Sequence, residues 1–371
     1  MVSERETSRT DRQLVVYLII LVVFGLLSLA SATVVAGFNS SEQNSFLFVT
    51  RQILYGLVPG TVLFLVAARF DYHIFKKSSW LLYGLLIVFL VLVFSPLGIC
   101  LKGACSWLNL GFTTFQPAEA AKFIVIVIMG YLLADNRRNW HDWKNQLIPV
   151  LAVIGLPVAL VLLQKDLGTA LIMIVIVGVL LVLAKVPGQY LLTVGLISAL
   201  LITVLIAGTA HRRERVMVFW NPEAHTDDDI GLQVTQSKIA VGSGGFWGVG
   251  YGKSRQKFSY IPEINSDSVF PIIGEEMGFL GSVFLITLIV LICWRGLKIA
   301  AGAPDQFGQF LATGVVVWFG WQSFLNIGGI IGAMPLTGVP LPLVSHGGSA
   351  YMMMLAGFGV LVSVSRQSKL S

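Results

Sequence analysis

Long apolar runs bounded by short polar gaps recur along the whole chain, near 14–37, 47–68, 80–97, 117–134, 147–163, 168–185, 190–208, 270–294, 308–333 and 341–364. A helix needs about 20 apolar residues to cross a hydrocarbon core, so these runs predict ten spans. One gap stands apart: the stretch 209–269 is long enough to hold a site outside the bilayer, and a loop of that length is ordered by function or not at all. The predicted architecture is all-α, a polytopic integral membrane protein with one domain over 1–371 and a large extracytoplasmic loop between spans seven and eight.

Composition agrees with this reading, since 56% of the 371 residues are hydrophobic and only 12% charged, which leaves no room for a large soluble domain. The first run is too long for a signal-peptide core and reads as a retained span. A net charge of +6 would point to nucleic acid in a soluble protein, but here the cations lie in short gaps, where they orient spans in the bilayer; no nucleic-acid role is expected. Arg5, Arg9 and Arg12, then Arg69, Lys76 and Lys77, Arg137, Arg138 and Lys144, Lys185, Arg295 and Lys298, and finally Arg366 and Lys369 all fall on one face. The other face carries Lys102, Lys165 and the long loop, and long segments cross whatever their charge. Both termini are therefore expected in the cytoplasm.

Several residues are costly inside or beside a bilayer. Glu119 and Lys122, three apart at the start of span four, share a face; they form either a structural ion pair or part of a wet cavity. Asp166, in Lys165-Asp166-Leu167-Gly168-Thr169, either caps span six or serves a site. Glu275 and Glu276 follow Gly274 in span eight, where one can stabilise a positive helix start. The long loop opens on His211-Arg212-Arg213-Glu214-Arg215; Arg212, Arg213 and Arg215 form either a cluster for lipid headgroups or a diphosphate clamp, since guanidinium pairs with phosphate oxygens. Trp107 reads as an interfacial belt residue or as a platform for a sugar ring.

Between Gly242 and Gly252 the loop is rich in glycine, which predicts turns and close backbone approach to the membrane surface. Gly252-Lys253-Ser254 does not complete a phosphate-binding loop, because Trp247 stands where that pattern requires glycine. Cys100, Cys105 and Cys293 are too few for a disulfide framework or a zinc site. Cys100 and Cys105 share an outer gap, as two ordinary small residues by default or as a pair in an oxidising compartment. The five histidines carry no Ser-His-Asp, zinc or cofactor pattern.

An ordered set of motifs resembles the SEDS family of polytopic membrane glycosyltransferases. The set runs Lys102-Gly103-Ala104 with Trp107-Leu108, Phe115-Gln116-Pro117-Ala118-Glu119 with Lys122, Asp166-Leu167-Gly168-Thr169, Arg215-Val216 and Phe219-Trp220-Asn221-Pro222. It continues with Gln236-Ser237-Lys238-Ile239-Ala240, Gly242-Ser243-Gly244-Gly245, Pro262-Glu263, Asp267, Gly274-Glu275-Glu276 and Pro340-Leu341-Pro342-Leu343-Val344-Ser345 before Gly347-Gly348-Ser349. The motifs cover nearly the whole chain. Gly250 to Phe258 is similar to the division branch of the family more than to the elongation branch. Two positions depart from the pattern: Asn265-Ser266-Asp267-Ser268 replaces His-Thr-Asp-Phe, and His346 replaces a tyrosine.

The resemblance implies polymerisation of lipid II into glycan strands with release of undecaprenyl diphosphate, in the cytoplasmic membrane of a bacterial cell, beside a class B penicillin-binding protein as transpeptidase. In that reaction a sugar hydroxyl attacks an anomeric carbon, so a carboxylate near the hydroxyl and cations near the departing diphosphate are needed. Asp267 matches the family's acidic position, and Arg212, Arg213, Arg215 and Lys238 are the cations for the diphosphate. Trp107, Glu119, Lys122, Asp166, Gln236 and Ser345 are further substrate-facing positions implied by the same motifs. A divalent cation, Mg or Mn, is compatible with this chemistry, although no coordination pattern demands one. Two other classes use similar intramembrane charges: a lipid flippase, which needs no base, and an ion-coupled transporter, for which no internal repeat is evident. Single cysteines at Ser3 and Ser243 are expected to react with an impermeant reagent from opposite sides of the membrane; labelling from one side would contradict the topology.

Overall fold

The computed structural model describes residues 10–38, 43–101, 104–111, 113–135, 140, 142–221, 229–258 and 267–368. Arg5, Arg9, Lys102, Gly103, Arg137, Arg138, Pro222, Asp227, Asp228, residues 260–263, Asn265, Ser266 and Lys369 lie outside the described residues. The helices are α1 (Arg12–Phe38), α2 (Leu47–Gln52), α3 (Val58–Arg69), α4 (His73–Lys77), α5 (Ser79–Leu92), α6 (Pro117–Leu133) and α7 (Trp143–Leu163). They continue as α8 (Leu167–Leu183), α9 (Gly188–Ala207), α10 (Ala210–Trp220), α11 (Asp229–Ser243), α12 (Val269–Ala301), α13 (Gln306–Ile330) and α14 (Gly348–Gln367). A single π-helical turn, Ile53–Leu57, joins α2 to α3 into one rod.

Seven of these rods are long and apolar enough to cross a membrane. Three shorter helices, α5 with 14 residues and α6 and α8 with 17 each, occupy the other three expected positions. The chain is a multi-pass helical membrane protein. α13 forms the centre, packed on α6, α8, α12 and α14, with Trp318, Phe319 and Phe358 fully enclosed. α9 is the opposite case: it buries no residue and packs mainly on α8 and α10.

The structure refines several expectations. The all-α membrane architecture holds, with one small addition: the outer gap before α6 is a three-stranded antiparallel sheet, β1 (Gly98–Leu101), β2 (Ala104–Asn109) and β3 (Thr114–Phe115). Its register sets Cys100 opposite Cys105, and the two form a disulfide rather than remaining separate small residues. The tenth span begins at Gly348 instead of 341, because Pro340 and Pro342 remove amide donors and Leu343 adopts a positive φ of 60°. Part of the long loop is helical, in α10 and α11.

The glycine-rich segment differs as well, since the surface its glycines approach closely is another helix. α12 is kinked at Gly278 (φ 65°, ψ −158°), so Phe279 and Leu280 cannot donate back to Glu275 and Glu276. Instead Phe279 N donates to Gly245 O (2.9 Å) and Leu280 N to Phe246 O (3.3 Å), while Val249 N and Gly250 N donate to the freed carbonyls of Glu275 and Glu276, each at 3.0 Å. A Cβ on Gly244 would strike Gly274 O, and one on Gly248 would strike Glu276 O.

The carboxylates of Glu275 and Glu276 complete the joint. Glu275 accepts from Arg255 N (2.9 Å), Gln256 N (3.3 Å) and the Ser254 hydroxyl. Glu276 pairs with Lys257 Nζ (3.0 Å) and accepts from Ser31 Oγ on α1 (2.6 Å). Gly278→Ala is expected to lose about 1–3 kcal/mol from backbone strain alone, and more from its clash with Gly248 N. Gly242→Ala on α11, where a Cβ meets open space, should instead gain up to about 1 kcal/mol. Thermal unfolding of the two purified variants checks both signs.

Candidate functional site

α11 runs antiparallel to the start of α12, a pairing fixed at its lower end by Val241 against Gly274. Seven to eight residues higher, Gln233 reaches Asp267, just before the α12 N-cap Ser268; Gln233 Nε2 donates to Ser268 Oγ (2.7 Å) and to Asp267 Oδ1 (3.4 Å). From α13, Asn326 Nδ2 donates to the Asp267 carbonyl and to Val339 O, both at 2.8 Å. Asp267 is thereby held from two sides and is 7% exposed.

Arg215 of α10 is brought beside it by the segment joining α13 to α14. Its Nη1 donates to Leu336 O (3.3 Å), and its guanidinium lies over Gly338, whose φ of 70° and missing side chain leave the space. Burial pushes the Arg215 guanidinium down from its usual range, and the negative charge of Asp267, then of Asp166 and Glu214, pushes back up. Arg215 thus sits in the field of two carboxylates from different spans. Asp166 caps α8, its Oδ1 accepting from Thr169 N (2.9 Å), while its Oδ2 accepts from Gln116 Nε2 (3.1 Å). Gly168 abuts Val339 and the Thr337 carbonyl, which brings the cap against the same segment.

A cleft opens here, lined by Arg215, Val218, Phe219, Lys238, Gly332 and Leu336 among others. Lys238 stands on its rim with its ammonium close over Gly332 (φ 75°). The arrangement therefore offers two cations facing one cleft beside a held carboxylate, which suits a diphosphate bound next to a proton acceptor.

The other sequence-derived positions separate. Arg212 turns back to donate to Leu205 O (3.3 Å) and Arg213 is exposed, so the three-arginine clamp reduces to Arg215 with Lys238. Gln236 is half-buried on α11, and Gln233 is the glutamine that reaches Asp267. Ser345 is buried and closes a turn by accepting from Leu341 N (3.2 Å). Trp107 is half-buried in β2, and its neighbour Ser106 donates to Gln164 O (3.4 Å) two residues before Asp166. His346 packs its ring edge-on to Phe48 at 5.6 Å; burial and the charge of Arg51 hold it down at about 4, so it is neutral near pH 7.

Glu119 and Lys122 lie in the bundle core, not at the cleft. Lys122 Nζ contacts Glu119 Oε2 (2.7 Å) and donates to Gln322 Oε1 (2.8 Å), above the Trp318 ring at 5.2 Å. Gln322 also accepts from Trp318 Nε1 (2.8 Å) and donates to Pro340 O (2.9 Å), which ties the pair to the α13–α14 segment. Sequence reasoning missed Gln233, Asn326, Gly332 and Gly338. Only the two glycines, spaced by six within a proline-containing turn, left a signal.

Residues 12–370 match the FtsW/RodA/SpoVE family, described as cell cycle protein. The chain is 35% identical over 366 residues to a probable peptidoglycan glycosyltransferase FtsW of Geobacter sp. (strain M18), covering 98% of this chain and 99% of that one. It is 34% identical over 362 residues to stage V sporulation protein E of Bacillus subtilis (strain 168), covering 97% and 98%. Among solved structures it resembles a chain of a peptidoglycan synthase complex that coordinates polymerization and crosslinking, at TM-score 0.79 and 27% identity over 98% of this chain and 99% of that one. It also resembles the rod shape determining protein RodA of Thermus thermophilus, at TM-score 0.72 and 28% identity over 98% of each.

Because Lys122 and Glu119 satisfy each other in the core, Lys122→Met is expected to cost about 3–5 kcal/mol by stranding a buried charge. The double variant Lys122→Met with Glu119→Gln should recover most of that loss. Unfolding midpoints of single and double variants decide; equal losses in both would show that the pair does more than neutralise itself.

Proposed function

The chain belongs to the FtsW/RodA/SpoVE family, and on that premise we propose that it is a peptidoglycan glycosyltransferase that polymerises lipid II and releases undecaprenyl diphosphate. The observation that carries the reading is the cleft lined by Arg215 and Lys238, with Arg215 in the field of the held carboxylate of Asp267. The two cations bind the diphosphate of the donor and stabilise the charge it gains on leaving. Asp267 accepts the proton of the attacking sugar hydroxyl as the new glycosidic bond forms. Binding of the anionic diphosphate draws Arg215 away from Asp267, which makes the carboxylate a stronger base at the moment it is needed. Asp166 and Gln233 act as positioning residues, the first for Arg215 and the second for Asp267.

A divalent cation has no cage of protein ligands, since no three of His, Cys, Asp and Glu converge among the described residues. The carboxylates of Asp267 and Asp166 fit a cation that arrives with the diphosphate oxygens, where it would neutralise leaving-group charge. The division role is favoured by the resemblance of Gly250 to Phe258, and the partner by likeness to a complex that couples polymerization to crosslinking. That partner is a class B penicillin-binding protein, in the cytoplasmic membrane, with both termini of this chain inside the cell.

Purified protein given lipid II and no other polymerase should make glycan chains, whereas a flippase would make none. Asp267→Asn should slow polymerisation by about 10² to 10⁴-fold while thermal stability and partner binding persist. Near-normal polymerisation by a folded Asp267→Asn protein would remove Asp267 as the base.

A further inference from the structure

Depth in the membrane can be read from one ion pair. Asp11 caps the start of α1 and pairs with Arg295 near the end of α12 (2.7 Å), which sets both helices at one level near the face that holds Arg12, Lys298 and Arg366. Tyr251 of the glycine-rich segment donates its hydroxyl to Leu27 O of α1 (2.7 Å), and Phe246 stacks on Phe279 of α12 with ring centres 5.8 Å apart. Leu27 lies sixteen residues above Asp11, and Phe279 sixteen above Arg295. At 1.5 Å per residue each rise is about 24 Å. Two separate helices thus place the segment at one height, about 24 Å from the level of the Asp11–Arg295 pair, in the opposite half of a hydrocarbon core about 30 Å thick.

What the segment shows at that height is aromatic. Phe246, Trp247, Tyr251 and Phe258 are 54%, 77%, 53% and 59% exposed. They continue the outward apolar faces of α12 at Phe279 and Leu280 and of α1 at Val23 and Leu27. Lys253 and Arg255, also exposed, stand beside them, and the joint to Glu275, Glu276 and Lys257 satisfies the backbone that irregular structure at this depth would otherwise strand.

We propose that residues 245–258 form a finger inserted in the interfacial zone of the leaflet opposite Asp11, and that its occupant is phospholipid. Acyl chains lie against Phe246, Trp247, Tyr251 and Phe258, and headgroup phosphates against Lys253 and Arg255. Exposed aromatic residues flanked by cations are the composition with which interfacial segments hold a membrane surface, at an insertion of about 5–10 Å. The finger is joined to α11 at Ser243, so its anchoring fixes the height of the helix that carries Gln233 and Lys238.

The test uses the full chain in nanodiscs of anionic phospholipid, with Cys293→Ser to remove the free thiol and Trp247→Cys labelled with an environment-sensitive fluorophore. The label should be quenched more by lipids brominated near the headgroup than by lipids brominated near the chain end, and aqueous iodide should quench it much less than the free dye. Iodide quenching equal to that of the free dye would overturn the proposal by placing the finger in water. Shielding that appears only when a transpeptidase is copurified would overturn it in favour of a protein occupant. Phe258→Cys gives the same reading should Trp247→Cys fail to fold, and neither result depends on polymerase activity.

Discussion

A backbone amide in hydrocarbon must find a partner within the protein, and the kink at Gly278 is where this chain turns that constraint into architecture. Breaking α12 there frees two carbonyls and two amides. The glycine-rich segment takes all four, in an exchange that only residues without a Cβ can approach closely enough to make. The exchange docks the segment on α12, the segment leads back into α11, and α11 then lies along the first turns of α12 so that Gln233 meets Asp267. Remove the kink and the carboxylate loses its alignment, even though no residue of the joint touches it.

The second half of the site is held by the α13–α14 segment, which works as a floor. Its carbonyls at Leu336 and Val339 receive Arg215 and Asn326, its glycines at 332 and 338 leave room for Lys238 and Arg215, and its Pro340 carbonyl is tied through Gln322 to the Lys122–Glu119 pair. Charges that would be costly singly are arranged so that each buried one faces an opposite sign or a hydrogen bond. Arg215 shows the balance most clearly: burial disfavours its charge, Asp267, Asp166 and Glu214 favour it, and its Nε has no hydrogen-bond partner among the described residues. A guanidinium in that balance gains from an incoming anion.

Much of this was legible in the sequence. The apolar runs located the spans because hydrophobic length is a local property, and Asp267, Arg215 and Lys238 were reached through motifs. What was not legible depends on approach between distant residues. Gln236 sits in the motif, but helix phase turns Gln233 toward Asp267. Arg212 and Arg213 neighbour Arg215 in sequence, yet successive residues on a helix point about 100° apart, so only one faces the cleft. For Cys100 and Cys105 the sequence left a pair and two separate small residues both open, and the strand register decides for the pair. The glycines were rightly read as permitting close approach, but the surface they approach is α12.

The central claim is that Arg215 and Lys238 together bind diphosphate while their charged neighbour Arg213 does not. Binding of undecaprenyl diphosphate to the purified protein, measured for Arg215→Gln, Lys238→Gln and Arg213→Gln, tests it most directly. Loss of a charge-assisted hydrogen bond of about 1.5–3 kcal/mol should weaken binding about tenfold or more in each of the first two variants and leave the third near the parent. Equal affinity in all three, or loss confined to Arg213→Gln, would contradict it.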